Sequence, residues 1–211
     1  MTKKKRSRLS AEQRRDLIVE KAIELFSRQG FRDTRVKDIA DRVGTSDALV
    51  FQHFPTKRDL YDAILEQLCA RKHFTEVEQL LYYTPEYELE HVLVQLSSWV
   101  IEQTEIDPAW LRLILYAALE QDDSVSDLVH EHFQRIIDYV AYEISEGQKT
   151  GRFRAGDTQR YARSFFTGLL GLSLMRTVVR NTDFRNDGIR DAANTHVKLF
   201  LQGLEIRPGG K

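Results

Sequence analysis

Apolar residues recur along this chain three and four positions apart, and the runs between them end on capping residues and glycines rather than in alternation, so helix is expected throughout. Ser10 with Gln13 forms a capping-box pattern, and Leu17, Ile18, Ala22, Leu25 and Phe26 follow at helical spacing to a stop at Gly30. In "VKDIADRVGTSDALVFQHFP", Val36 to Pro55, the residues Val36, Ile39, Ala40 and Val43 predict a short second helix closed by Gly44. Ser46 then caps a third that runs through Phe54. Thr56 with Asp59 opens a fourth, with Leu60, Ile64, Leu65 and Leu68 on one face.

Beyond residue 75 the periodic segments lengthen. Leu89, Val92, Leu93, Leu96 and Val100 mark one helix, and Asp107-Pro108 supplies a cap and a first-turn proline for "AWLRLILYAAL", which is apolar nearly all round and reads as enclosed by others. Val125, Leu128, Val129, His132, Phe133, Ile136, Ile137, Val140 and Ile144 form the cleanest stripe, ending at Gly147. Asp157 caps the next helix, expected to reach about Arg180. After a loop at "NTDFRNDG", Ile189, Ala192, Ala193, His196, Val197, Phe200, Leu201 and Leu204 form the last. No segment reads as strand, so the fold class is all-α with about nine helices.

Length and composition add bounds. A chain of 211 residues can bury a substantial core, in one large domain or two small ones. Lys+Arg 31 against Asp+Glu 32 gives a net charge of -1, which alone predicts no anionic partner. The charge is unevenly placed, however: the first 60 residues hold 15 Lys/Arg and 9 Asp/Glu, and the remainder 16 against 23, a basic front and an acidic back. Cys69 is the only cysteine, which rules out an internal disulfide and suits a reducing, cytoplasmic setting. No apolar run is long enough for a bilayer, and no cofactor or metal pattern is present. Paired carboxylates on a defined pocket, Gly-rich phosphate loops and Cys/His nucleophile patterns are also missing, which argues against an enzyme.

Two short helices joined by a Gly-containing turn match a helix-turn-helix, whose second helix enters the major groove. Gly44 can adopt the left-handed conformation that ends helix two, and Ser46 restarts the chain at once. Leu49, Val50 and Phe54 can then face inward while Thr45, Asp47, Ala48, Gln52 and His53 stay outside. The same pattern also suits an ordinary corner between packed helices.

Here the residues carry a resemblance. Ile18, Ala22, Phe26, Gly30-Phe31, Thr34, "DIA" at Asp38 to Ala40, Gly44, Ser46, "FQHF" at Phe51 to Phe54, Lys57 and Leu60 fall at the spacing of the tetracycline-repressor (TetR) family. The stretch from Ile18 through Leu60 resembles that family's DNA-binding domain, and the rest is similar by helix count and lengths. The resemblance implies an N-terminal three-helix DNA-binding domain (residues 10–56) behind a basic arm (1–9), joined by a fourth helix to an effector-binding and dimerisation bundle (57–211). It implies a homodimeric repressor, released from a pseudo-palindromic operator in double-stranded DNA by a small hydrophobic or amphipathic effector. The alternative is an activator or protein-binding regulator with no small-molecule inducer.

Carried onto this chain, the resemblance puts Arg35 and Lys37 beside DNA at the start of helix two. Thr45, Ser46, Asp47 and Ala48 stand at the start of the recognition helix, with Phe51, Gln52 and His53 on its working face and Lys57 on a phosphate. The chemistry is compatible: Gln pairs with adenine, Lys with guanine, Asp with the cytosine amino group, and Ala or Phe meets a thymine methyl. Three positions depart from the family pattern, Phe51 for tyrosine, Ala48 for glycine and Arg35 for a Ser or Thr cap. Arm residues Lys3, Lys4, Lys5, Arg6 and Arg8 suit either the DNA backbone or a solvated tail.

In the back domain Ser164, Gly168 and Gly171 share one helical face. Two internal glycines point to close backbone approach, either within the chain or across the dimer interface that the family builds from its last two long helices, to which His196 and Phe200 would also contribute. Trp99, Trp110, Tyr116, Tyr139, Phe165, Phe166 and Met175 are candidates for an effector cavity or for plain core. Arg112, a single charge in an apolar run, can balance a ligand carboxylate or pair with an acid such as Glu120.

Overall fold

The computed structural model describes residues 9–70, 88–121 and 123–206, with side chains described in all of these except 68–70 and 123–132. The chain divides into two compact units. One runs through Leu68 and includes Arg112–Val125; the other comprises Cys69–Leu111 and the chain from Ser126 onward.

In the first unit, α1 spans Ala11–Asp33, α2 Val36–Val43 and α3 Asp47–His53, and α4 begins at Lys57 and runs to Ala70. The capping box forms as the sequence implies: Gln13 N donates to Ser10 Oγ at 3.1 Å, and Ser10 N to Gln13 Oε1 at 3.0 Å. Gly30 does not end α1 but breaks it, at φ 80 and ψ 177, and one more turn follows to Asp33. Only glycine adopts that conformation without strain. The core beneath gathers Ile18, Ala22, Phe26, Ile39, Ala40, Val50, Leu60 and Ile64, all buried. Phe26, Phe31 and Tyr61 form an aromatic cluster with centroids 5.0 to 5.9 Å apart.

The same unit takes most of α6 (Ala109–Glu120), which Asp107 caps through its Oδ1 to Ala109 N at 3.0 Å. Leu113 and Ala117 on α6 are buried but Leu119 is 80% exposed, so this helix is not enclosed on every side as its composition suggests.

The second unit holds α5 (Leu89–Ile106), α8 (Thr158–Thr177), the short α9 (Thr182–Asn186) and α10 (Ile189–Leu204), with most of α7 (Asp123–Lys149). Leu93, Leu96, Ile101, Ile136, Val140, Ile144, Phe165, Leu169, Val197 and Leu201 make a continuous core. The Val125 to His132 part of the α7 stripe lies outside the described side chains. Two boundaries differ from the sequence expectation. Helix α7 passes Gly147 and continues to Lys149, because that glycine is where the Phe153 ring lies against the helix. The "NTDFRNDG" segment is not all loop: Asn181 accepts from Asp183 N at 2.9 Å and starts α9. Arg176, buried at the end of α8, binds Glu105 at 2.7 Å and donates to the carbonyls of Phe184 and Asp187, which anchors α9 and the turn behind it. Among the described residues there is no strand beyond an isolated bridge of Phe153 with Glu205, and no helix is long and apolar enough to cross a membrane.

Candidate nucleic-acid interface

The corner between α2 and α3 is built by backbone conformation. Gly44 sits at φ 75, ψ 42, and its N–H returns to Ala40 O at 2.9 Å, while Thr45 N reaches the same carbonyl at 2.9 Å. Ser46 Oγ then accepts from Leu49 N at 3.3 Å and opens α3. Val50 and Phe54 are buried, and Ile39 and Ala40 lie beneath them, so the anchored side of α3 is apolar. Its other side holds Asp47, Ala48, Phe51 and Gln52 in solvent, with Thr45 and His53 half-buried at its margins. Phe51 is 44% exposed, a large apolar ring left in water on a helix of seven residues.

At the start of α2 Arg35 occupies the cap position in extended conformation, and no side chain caps the helix. The hydroxyl just before it, that of Thr34, serves α1 instead: its Oγ1 donates to Gly30 O at 2.7 Å and accepts from Gln29 Nε2. Arg35 and Lys37 are exposed, and neither forms an ion pair among the described residues. Other cations nearby are engaged: Lys21 with Glu20 and Glu24, Arg42 with Glu24 at 3.4 Å, and Arg58 with Asp62 at 2.8 Å. The Glu24 carboxylate holds the Lys21 pKa above its ordinary value, and the lysine in turn holds Glu24 below its own. Arg15 lies over the Phe54 ring at 5.0 Å and so braces the end of α3.

Lys57 stands apart. Its Nζ donates to Phe31 O at 2.7 Å, Thr34 O at 3.1 Å and Arg32 O at 3.4 Å, and lies 4.2 Å from the centre of the Phe31 ring. Burial lowers its pKa, opposed by the charges of Glu120 and Asp33. Nor are the first amides of α4 all open, because Thr56 and Asp59 cap each other: Asp59 N meets Thr56 Oγ1 at 3.1 Å and Thr56 N meets Asp59 Oδ2 at 2.9 Å.

The expected effector residues separate. Arg112 and Tyr116 belong to the first unit, where Tyr116 Oη donates to Arg28 O at 2.6 Å. Glu120 there accepts from Arg32 N at 3.1 Å, and the Arg32 guanidinium donates to Glu120 O at 3.0 Å. In the second unit Trp110, Phe133 and Phe166 form a chain of rings 5.8 and 4.7 Å apart. Phe165 turns to the other side, packing on His196 at 4.9 Å and Phe200 at 5.0 Å. Trp99 and Tyr139 lean on the core half-buried, Met175 is partly exposed, and burial, then the Glu143 charge, pushes the Tyr139 phenol up to about 12. Two hydroxyls missed in the sequence, Ser97 on α5 and Ser173 on α8, are fully buried with no hydrogen-bond partner among the described residues. A serine on the buried side of an apolar helix was their only signal.

Among the expected interface residues, Ser164, Gly168 and Gly171 are exposed on α8. Gly168 has an explanation within the chain, since a Cβ there would come 2.8 Å from His196 Cε1. Gly171 faces open space, with no atom of the described residues within 4 Å of a Cβ placed there. His196 Nε2 lies 3.0 Å from Phe165 O, and burial lowers the ring's pKa.

Residues 18–64 match the family model described as bacterial regulatory proteins, tetR family. The chain is 25% identical over 162 residues to the HTH-type transcriptional regulator YvkB of Bacillus subtilis (strain 168), covering 75% of this chain and 80% of that one. It is 38% identical to the HTH-type transcriptional regulator LuxR of Vibrio harveyi over 68 residues, a third of each chain (32% and 33%). Among solved structures, a transcriptional regulator from Saccharomonospora viridis in complex with choline superposes with a TM-score of 0.68 at 24% identity, over 93% of this chain and 100% of that one, which is a likeness of fold.

Proposed function

Because this chain is a DNA-binding transcriptional regulator of the TetR family, we propose that it acts in the cytoplasm as a homodimeric repressor, reading a pseudo-palindromic operator with two copies of α3 and leaving it when a small effector binds. The observation that carries the reading is the exposed face of α3. Asp47, Ala48, Phe51 and Gln52 stand in water on a helix whose other face is locked into the core, and Arg35 and Lys37 flank them without acid partners among the described residues. Gln52 would pair with adenine and Asp47 with a cytosine amino group; Phe51 and Ala48 would meet thymine methyls, and Thr45, Ser46 and His53 would border them. The uncapped start of α2 leaves backbone amides to hold a phosphate.

Support for a dimer comes from the face of α8 that carries Ser164, Gly168 and Gly171, with Leu199 exposed on α10. Two-fold symmetry would let identical recognition helices read both half-sites. Support for an amphipathic effector comes from the partly buried rings of Trp110 and Phe133 beside Phe166 and from the buried hydroxyls of Ser97 and Ser173, unpartnered among the described residues, which favour a ligand with apolar surface and a hydrogen-bonding group. The choline held by the Saccharomonospora viridis protein is one ligand of that kind. An effector that binds better to the DNA-free shape would lower operator affinity by its differential binding energy.

The test is selection of duplexes from a random-sequence library by the wild-type protein, followed by binding at physiological salt. Nanomolar, sequence-selective retention is expected, with altered base preference in Gln52→Ala. Weak, uniform retention would overturn the repressor reading.

A further inference from the structure

Lysine has three N–H donors and no more. In Lys57 all three have backbone acceptors, the carbonyls of Phe31, Arg32 and Thr34, and the ammonium also sits over the Phe31 ring. These carbonyls belong to the last turn of α1 and the step into α2, where unpaired carbonyls concentrate partial negative charge. They converge on one point because Gly30 breaks α1 and turns its final residues aside. Lys57 is also the first residue of α4, directly after the Thr56 cap. One side chain therefore ties the end of α1, the start of α2 and the start of α4 together.

We propose that Lys57 is a positioning residue: it acts on DNA binding by fixing the corner that carries Arg35 and Lys37, and not by contacting a phosphate. A phosphate ligand at this ammonium would have to displace at least one short bond from a half-buried group, whereas the exposed Lys37 can reach a phosphate at no such cost. Desolvation lowers the Lys57 pKa, the behaviour of an ammonium already withdrawn from water. This inference rests on the DNA-binding reading, and the experiment separates the two.

The probe is a 30-base-pair duplex selected from a random library by the wild-type protein, and affinity is measured by fluorescence anisotropy across a salt series for wild type, Lys37→Gln, Lys57→Met, and Arg35→Gln/Lys37→Gln with and without Lys57→Met. The methionine keeps an apolar stem over Phe31 but no donor. Each phosphate contact contributes about 0.9 to the slope of log affinity against log salt. Lys57→Met is expected to weaken binding about fivefold or more; added to Arg35→Gln/Lys37→Gln, where the α2 contacts are already gone, it should leave the slope of that double variant unchanged. Lys37→Gln is expected to flatten the slope.

A second measurement needs no variant. The Lys57 ammonium signal of the ¹⁵N-labelled wild-type protein should be observable, because its protons are held by carbonyls, and should stay in place when the duplex is added. A slope flattened by about 0.9 more when Lys57→Met is added to Arg35→Gln/Lys37→Gln, a DNA-induced shift of that ammonium signal, or unchanged affinity in Lys57→Met alone would each overturn the proposal. Absence of selective binding by the wild type would instead overturn the DNA-binding reading on which it stands.

Discussion

Gly30→Ala should be among the most damaging one-carbon changes in the first unit. The residue holds φ 80, ψ 177, a region open to glycine alone, and a side chain forced into it costs about 1–3 kcal/mol. Space is also missing. A Cβ there would meet the Glu120 carboxylate and come 2.9 Å from Tyr116 Cδ1, and such overpacking costs about 1–3 kcal/mol more. The sum is about 2–6 kcal/mol, equivalent in a unit of this size to a melting-temperature loss of about 10 °C or more. Far-ultraviolet circular dichroism in a urea series measures it. Gly30→Ala/Glu120→Ala would separate the contributions: removing the carboxylate costs about 0.5–1.5 kcal/mol through the lost bond from Arg32 N, but should restore much of the steric part and none of the conformational part. A single variant within about 0.5 kcal/mol of wild type would refute both halves of the reasoning.

Gly171→Leu should leave the monomer fold intact, because the site faces open space, yet should yield monomers if α8 meets a partner copy there; an unchanged dimer mass in sedimentation would move the interface elsewhere. Burial lowers the His196 pKa from 6.5, so the unfolded chain takes up the proton first. The stability this group contributes is whole above about pH 6.5 and is lost as pH falls through the folded pKa, so wild type should lose more than His196→Asn between pH 7.5 and 5 at fixed protein concentration, and parallel urea midpoints would contradict this. Arg176→Met strips Glu105 and two carbonyls of their partner and should cost about 2–3 kcal/mol, read as an earlier urea midpoint.

The long helices were legible in the sequence to within a turn, because each is specified by residues close along the chain, whereas the five-residue α9 was read as loop. Ser10 and Gln13, Gly44 and Ser46, and Asp157 before α8 form the caps that their positions imply. The outward set on α3 was equally legible, since a seven-residue helix with Val50 and Phe54 inside has only one other side to offer. Where local pattern misled, packing from outside the helix had intervened: Gly147 reads as a stop but makes room for Phe153. Gly168, grouped with Gly171 on one face of α8, also makes room for His196 within the chain.

What only the tertiary structure decided is which polar groups are already satisfied. The family resemblance pairs Lys57 with Lys37 as DNA-facing cations, and residue type groups Arg112 and Tyr116 with Trp110 as candidates for a pocket or for plain core. Yet Lys57 spends its donors on carbonyls 23 to 26 positions earlier, and Tyr116 bonds a carbonyl 88 positions away. Helix formation depends on bonds spanning four residues, so the sequence determines it nearly alone. Donor saturation depends on where separate segments converge, here at a break in α1 whose direction a lone glycine makes possible and the folded core selects.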